Sequence, residues 1–136
     1  MRAFGVLLAA TLAVGLAGCG SSESDQVHAK VEEFVHAVSA RDAKAVCDKV
    51  LAPSLVAHFL QEGLTCERGI QIFLNSVRDP TLAVGRITVH RNAAMALVLT
   101  GARCQRPALA NLNLVKTSDG WRIASESQGP SSRPSC

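Results

Sequence analysis

Apolar residues recur at a helical spacing between residue 26 and Pro80 of this chain, and they alternate with polar residues after Pro80. The first stripe consists of apolar residues three or four positions apart: Val27, Val31, Phe34, Val35 and Val38. This spacing predicts a helix of about four turns, with Ser24 or Asp25 as its cap. The change of period at Pro80 predicts helices first and strands second.

Three shorter apolar stripes follow this helix, and each ends where the sequence disfavours helix. Their members are Val46, Cys47 and Val50, then Leu55, Phe59 and Leu60, and finally Ile70, Phe73, Leu74 and Val77. Asp42 is placed to cap the first of these segments, which Pro53 ends, and the second ends at Gly63. The pair Asp79-Pro80 terminates the third. The first half of the chain therefore holds three or four helices, with Cys47 on a buried face.

After Pro80 the chain is rich in Val, Ile, Leu and Thr, and it predicts two hairpins. The first pairs residues 82–91 with residues 93–102, and the second pairs residues 108–117 with residues 121–125. Asp119-Gly120 predicts a type I′ turn in the second hairpin, because that turn needs positive φ at both central positions. Helices followed by antiparallel strands predict an α+β domain whose helices cover one face of a curved sheet.

Residues 93–99 are apolar at every position, with the sequence Ala-Ala-Met-Ala-Leu-Val-Leu. A strand with two apolar faces is typically covered on both sides. Helices provide one cover, and a second copy of the chain, as in a homodimer, or an envelope protein partner is a candidate for the other. The alternative is an outer face of small residues that needs no cover.

The N-terminus begins with Arg2, continues as an apolar run of mostly small residues, and ends in Leu16-Ala17-Gly18-Cys19. A basic start followed by an apolar segment this short indicates a signal peptide rather than a membrane-spanning helix. The last four residues resemble the lipobox of bacterial lipoproteins. That resemblance implies cleavage before Cys19 and acylation of Cys19 on its sulfur and its new amino group. The alternative is an ordinary signal peptide in which Cys19 has no role.

Cleavage at this site divides the chain into four parts. We expect a signal peptide over residues 1–18, a lipidated tether over residues 19–25, one α+β domain over residues 26–126 and an irregular tail over residues 127–136. The length that remains after cleavage is typical of one domain with its own core. The expected location is the extracytoplasmic face of the cell membrane, with the membrane as a partner through the lipid anchor.

With Cys19 assigned to lipid, four cysteines remain, namely Cys47, Cys66, Cys104 and Cys136. An even number in an oxidising compartment favours two disulfides, and four cysteines allow three pairings. We favour Cys47–Cys66 and Cys104–Cys136, because each pair joins segments that are close in sequence. No two of these cysteines have the short spacing of half a tetrahedral zinc site, so we predict no metal.

The net charge of +3 is too small to argue for binding of nucleic acid. Its distribution is uneven, because residues 20–80 carry six basic and nine acidic side chains whereas residues 81–136 carry seven basic and two acidic ones. Asp and Glu are absent between Asp79 and Asp119. This basic half is a candidate surface for anionic lipid or an anionic ligand, and the alternative is a solvated basic face.

The order of elements resembles the nuclear transport factor 2-like superfamily, whose cone-shaped folds include ketosteroid isomerase and polyketide cyclase-like proteins. The resemblance is carried by Phe34, Ala37 and Val38, by Arg41-Asp42, by Leu114-Val115-Lys116 and by Asp119-Gly120-Trp121-Arg122-Ile123. It covers residues 26–126 and implies helices packed on a curved antiparallel sheet. Secreted lipoproteins of this type often carry one cysteine on the second helix and another soon after, which Cys47 and Cys66 match.

In such a cone, the expected lining of the pocket between helices and sheet is apolar and consists of Phe34, Leu112, Leu114, Trp121 and Ile123. The alternative for Trp121 is a plain core position. Enzymes of this superfamily place a carboxylate base in the cone, and the isomerases add a Tyr or a protonated Asp. This chain has no Tyr, and residues 80–118 contain no carboxylate. Asp42 and Asp48 are better explained as a cap and a solvated position.

The histidines offer no metal site either. His28 and His36 are eight residues apart, which is about 12 Å along a helix and too far for one metal ion. We therefore expect no catalytic residues, no metal and no cofactor. The expected function is a non-enzymatic binding or assembly module at the cell envelope that takes a small apolar or anionic ligand. The alternative is an enzyme of the same fold, of the isomerase, dehydratase or hydrolase type, that acts on a small hydrophobic substrate.

Overall fold

The computed structural model describes residues 21–128, in which helical segments precede a sheet. The helical segments are α1 (Glu23–Ser39), α2 (Ala43–Ala45), a π-helical turn (Val46–Val50), α3 (Pro53–Gln61) and α4 (Cys66–Ser76). The strands are β1 (Thr81–His90), β2 (Ala93–Ala102), β3 (Gln105–Thr117) and β4 (Gly120–Gln128). The expected signal peptide, Cys19, residues 129–136 of the expected tail and Cys136 lie outside the described residues.

The four strands form one antiparallel sheet in which each strand pairs with its neighbour in sequence, in the order β1-β2-β3-β4. Short connections suffice for such a meander, and residues 91–92, 103–104 and 118–119 provide them. The helices pack on one face of this sheet. The predicted α+β class, with N-terminal helices on an antiparallel sheet, is therefore confirmed.

Helix α1 begins with a capping box. The Ser22 hydroxyl accepts a hydrogen bond from the backbone N–H of Asp25, and the Asp25 carboxylate accepts one from the backbone N–H of Ser22. The predicted cap, Ser24 or Asp25, was therefore wrong, because Asp25 is the third helical residue that completes the box. The hydrogen bonds from Ser22 also lower the pKa of Asp25. Since α1 begins at Glu23, its first turn overlaps the expected tether of residues 19–25.

The next helices begin where the sequence provides a cap or a proline. The Asp42 carboxylate accepts a hydrogen bond from the backbone N–H of Ala45 at 2.9 Å, as predicted for a cap. Pro53 is the first residue of α3, where its missing N–H has no partner to lose. Thr65 caps α4 through the backbone N–H of Arg68. Connections of two to four residues thus separate short helices that would not be stable alone.

The core lies between α1 and the inner face of the sheet. Alternation along β2 and β3 turns every second residue inward, and these residues are buried: Ala94, Ala96, Val98, Ala110, Leu112 and Leu114. From the helical side, Val27 and Val31 of α1 and Val46 and Val50 of the π-helical turn are fully buried. The apolar stripes of the sequence are therefore the faces that meet in the core.

The turn between β3 and β4 differs from the prediction. Gly120 has a φ of 101°, but Asp119 does not have a positive φ. The turn is therefore not type I′, and the single positive φ at its end matches a type I turn followed by a glycine bulge. The strands themselves carry three irregularities of register, in β1 after Val84, between β2 and β3 beyond Thr100, and between β3 and β4 at Leu114.

Candidate functional site

A cleft lies between the helices and the inner face of the sheet, and it consists of two adjoining cavities. The first, of about 140 Å³, lies at the C-terminal end of α1 and the β2–β3 end of the sheet. The second, of about 230 Å³, lies against α3 and α4. Five residues line both cavities, namely Phe34, Val38, Phe73, Leu112 and Glu126. Because they share this wall, the two cavities are parts of one site.

The lining is mainly apolar in both parts of the cleft. Val35, Val77, Pro80, Leu82 and Ala108 complete the apolar wall of the first cavity. The second cavity is closed by Val46, Leu51, Leu55, Phe59, Gly69, Ile70 and Ile123. Apolar walls with a few polar groups are typical of sites for small molecules.

The α3–α4 hairpin forms one wall of the second cavity, and two features fix its position. Cys47 of the π-helical turn and Cys66 at the start of α4 form a disulfide, with their Cα atoms 6.0 Å apart. The predicted pairing of these two cysteines is therefore confirmed. At Gly69 a Cβ atom would lie 2.4 Å from the Phe59 ring, so only glycine lets this ring pack directly on α4.

Cys104 lies in the β2–β3 connection, with a φ of 65°. Its predicted partner, Cys136, is outside the described residues. The Cys104–Cys136 disulfide therefore stays a prediction.

The structure brings together three of the five residues that the sequence placed in the pocket. Phe34 and Leu112 line both cavities, and Ile123 lines the second. Leu114 and Trp121 instead belong to the hydrophobic core, with 1% and 2% of their surface exposed. The physical reason is that both lie near the β3–β4 turn, at the end of the sheet that the N-terminal half of α1 covers.

Trp121 also fixes the start of α1. Its indole N–H donates a 2.8 Å hydrogen bond to the Glu23 carboxylate, which forms an ion pair with Lys116 as well. The Lys116 ammonium lies 5.9 Å from the centre of the indole ring. The hydrogen bonds from Lys116 and Trp121 lower the pKa of Glu23. This group holds the N-terminus of α1 on the β3–β4 end of the sheet.

Two charged residues that the sequence prediction missed line the cleft. They are Glu126 on β4 and Arg106 on β3. The register shows that Leu114 faces Ile123 whereas Asn113 faces Ser125, so Ala124 is an extra residue in β4. This bulge reverses the alternation beyond Ile123 and turns Glu126 to the cleft side, opposite Leu112. No signal in the sequence marked the bulge.

Arg106 was missed because the strand was predicted to begin at residue 108, after Pro107. The structure starts β3 at Gln105. Thr100 of β2 faces Ala108, and Ala102 faces Gln105, so two residues of β3 lie opposite one residue of β2. Pro107, which has no N–H to donate to the ladder, lies inside this bulge. The inner face of β3 consists of even-numbered residues. Continuing this pattern from Ala108 back to residue 106 would have identified Arg106 as a lining residue.

The remaining titratable residues lie outside the cleft. Asp42 caps α2, and Asp48 forms an ion pair with Lys44 that raises the pKa of the lysine. Within residues 21–128, no three His, Cys, Asp or Glu side chains are grouped closely enough to hold a metal ion. Among the same residues, no helix is both long and apolar enough to cross a membrane.

The outer face of the sheet is the second notable surface. It exposes large apolar side chains of β2 and β3, with Met95 43%, Leu99 44% and Leu109 58% exposed. Leu99 and Leu109 are direct partners in the ladder, and Met95 faces Asn113. The predicted outer apolar face of β2 is thus made of large side chains, and the described helices leave it uncovered.

Comparisons with known proteins show the fold. No protein-family model matches the chain, and no curated protein matches it. A nuclear transport factor 2-like protein of unknown function from Silicibacter pomeroyi is similar, with 19% identity, a TM-score of 0.54, and coverage of 75% of this chain and 90% of that protein. Another such protein, from Shewanella baltica, has 16% identity, a TM-score of 0.53, and coverage of 82% and 100%.

A domain of unknown function with a cystatin-like fold from Nostoc punctiforme is similar to the same degree. It has 13% identity, a TM-score of 0.54, and coverage of 80% of this chain and 78% of that one. At these identities the likeness concerns the fold alone. The nuclear transport factor 2-like fold, predicted from the order of elements, is therefore confirmed.

Proposed function

We propose that this protein is a lipid-anchored, extracytoplasmic binding module that holds a small apolar molecule in its cleft and does not catalyse a reaction. The observation that carries the proposal is the lining of the cleft, which is apolar except for a few polar side chains and the charged residues Arg106 and Glu126. Transfer of an apolar ligand from water to such walls is favourable by about 25 cal/mol per Å² of buried apolar surface.

The proposed anchor at Cys19 places the domain close to the membrane. Helix α1 begins at Glu23, so the three steps from Cys19 to Ser22 reach at most about 10 Å. The first cavity is lined by the C-terminal half of α1, from Phe34 to Ser39. Since Ser39 lies about 24 Å along the helix from Glu23, this cavity is at the end of the domain opposite the anchor.

Binding can be tested with a neutral apolar fluorophore, N-phenyl-1-naphthylamine, whose emission rises in an apolar site. Ala108→Leu adds three carbons to the wall of the first cavity and should weaken binding. Ala29→Leu is the matched control, because Ala29 is exposed on α1 and is not part of the lining of either cavity. Saturable binding that only Ala108→Leu weakens supports the proposal. Absence of binding, or equal effects of the two variants, contradicts it.

The enzyme alternative rests on Glu126. General acid–base catalysis needs a titratable group within hydrogen-bond reach of the substrate, and Glu126 lines both cavities. We propose that it does not act as a base, because its side chain is exposed to water and another interaction engages it. If the protein shows isomerase, dehydratase or epoxide hydrolase turnover and Glu126→Gln abolishes it, the protein is an enzyme and the proposed binding module is wrong.

We also propose that a second copy of the chain covers the outer sheet face. Four strands of about ten residues give this face an area of about 600 Å², close to the roughly 800 Å² that each partner buries in a stable interface. Met95, Leu99 and Leu109 are neutral, so the apolar centre of this face adds no like-charge repulsion when two copies meet. An isologous pair needs such a self-complementary surface.

A further inference from the structure

The cleft contains two side chains of opposite charge. Arg106 lines only the first cavity, near the β2–β3 connection. Glu126 lines both cavities and faces Leu112 across the β3–β4 ladder. Leu112 lies six positions after Arg106 along β3, which corresponds to about 20 Å. A ligand that lies along β3 with one end beside Arg106 therefore passes the Glu126 carboxylate at the wall that the two cavities share.

Two other arginines at the same end of the domain, Arg41 and Arg103, are engaged by protein groups. Arg103 forms a 2.6 Å ion pair with Asp79. Arg41 donates hydrogen bonds to the backbone carbonyl of Leu74 and to the side chain of Asn75. Arg106, in contrast, has no ion pair within residues 21–128. Among the described residues that line the cleft it is the one arginine, so it is the guanidinium that the cleft offers to a ligand.

The wall next to Arg106 changes quickly from polar to apolar. Gln105, Thr81 and Ser39 are exposed residues of the lining and surround the opening with polar groups. Beyond them, the lining continues with Leu82, Ala108, Val38, Phe34 and Leu112. This arrangement suits a molecule with one polar end and an apolar body.

The volumes of the two cavities show how large an apolar body the cleft can hold at least. At about 30 Å³ for a group of the size of a water molecule, the first cavity holds at least about five such groups and the second about seven. The walls shared by the two cavities let one chain occupy both. An apolar chain of about ten carbons fits these limits.

We infer that the natural ligand is an anionic amphiphile, with its head group beside Arg106 at the opening and its single apolar chain along β3 toward Phe34 and Leu112. This inference rests on the proposed binding function and adds the chemical class of the ligand. The position of Arg106 sets the direction of binding, because its guanidinium attracts the anionic head group to the opening.

The test compares decanoate with 1-decanol, which have chains of equal length and differ in charge. Each is used to displace the neutral fluorophore N-phenyl-1-naphthylamine from the purified protein, below the concentration at which it aggregates. Decanoate should bind about fivefold more tightly than 1-decanol, the gain expected for an ion pair at a partly exposed site. The preference should shrink at high salt.

The decisive variant is Arg106→Gln, and Arg86→Gln is its matched control. Both substitutions remove one positive charge, but Arg86 lies on β1 outside the lining of either cavity. Arg106→Gln should abolish the preference for decanoate and leave binding of 1-decanol unchanged, whereas Arg86→Gln should leave both unchanged. Equal loss in the two variants would mean a general charge effect and would overturn the inference.

The remaining outcomes separate this inference from the proposed function. If both compounds bind equally and Arg106→Gln has no effect, the anionic head group is refuted while apolar binding stands. If neither compound displaces the fluorophore and the fluorophore itself does not bind, the binding function fails. Decyl phosphate, which has one ten-carbon chain like decanoate, distinguishes the source of the anion in a parallel titration. Tighter binding than decanoate through Arg106 indicates a lipid phosphate, and weaker binding indicates a free carboxylate.

Discussion

Loss of the Cys47–Cys66 disulfide should destabilise the protein by an amount that the structure sets. The bridge closes a loop with a sequence separation of 19, which contains all of α3. In the chain-entropy model, a loop of this length restricts the unfolded chain by about 11 cal/mol/K, or about 3 kcal/mol at 25 °C. Both cysteines are buried in the hydrophobic core, and alanine carries no polar side-chain atom. The double substitution therefore leaves no unpaired polar group in the core.

The effect on the melting temperature follows from the size of the domain. At about 2.1 cal/mol/K for each residue, unfolding of the 108 described residues has an entropy of about 0.23 kcal/mol/K. A loss of 3 kcal/mol therefore lowers Tm by about 13 °C. Thermal unfolding of the Cys47→Ala/Cys66→Ala protein, followed by circular dichroism, should show this decrease in Tm. Urea unfolding at 25 °C should show the loss of about 3 kcal/mol in the free energy of unfolding.

The single variants provide the control, because either one removes the bridge. Cys47→Ala, Cys66→Ala and the double variant should lose nearly the same free energy of unfolding, so the two single losses should sum to about twice the loss of the double variant. Additive effects would show that each sulfur contributes through packing. A loss below about 1 kcal/mol in the double variant would refute the reasoning and assign the position of α4 to packing alone.

Three further predictions concern the anchor, the start of α1 and the outer sheet face. Cys19→Ser should block acylation, and mass spectrometry should find the unprocessed, unlipidated chain; an unchanged mass and membrane fraction would disprove the anchor. Because the folded-state pKa of Glu23 is lowered, its contribution to stability is present above its ordinary pKa of 4.5 and is lost as pH falls through the lower folded value. Urea unfolding of Glu23→Gln should therefore depend less on pH below about 5, and an unchanged pH profile would rule out the Glu23 group as its cause. Leu99→Lys should convert a dimer to a monomer in light scattering, whereas a wild-type monomer would exclude the second copy.

Much of the fold was readable from the sequence, because it depends on periods that are local. The stripe from Val27 to Val38 specified α1, and the alternation after Pro80 specified the strands. The signals were weaker at the ends of elements. The cap of α1 lies at Ser22 because Asp25 can return a hydrogen bond to it, and the sequence offers several residues that could begin such a box.

The candidate site was readable only in part. Phe34, Leu112 and Ile123 were expected in the cleft from the resemblance to the cone-shaped fold, and they line it. Trp121 shares the inner face with them, but its distance along the sheet from the opening puts it in the core, where it bonds to Glu23. Which inner residues face a cavity depends on how far α1 and α4 extend over the sheet, and that is a property of packing.

The sequence by itself determined which residues are helical, which are in strands and which faces are apolar, because neighbouring residues share one backbone and its period. It also placed Cys47 and Cys66 close enough along the chain to favour their disulfide. The tertiary structure alone decided that the Glu126 carboxylate enters the cleft. A bulge at Ala124 reverses the direction of Glu126, and a second bulge beside Pro107 turns Gln105 to the opening. The physical reason is that a bulge is fixed by the register with the partner strand, and one extra residue exchanges the two faces of a strand for every residue after it.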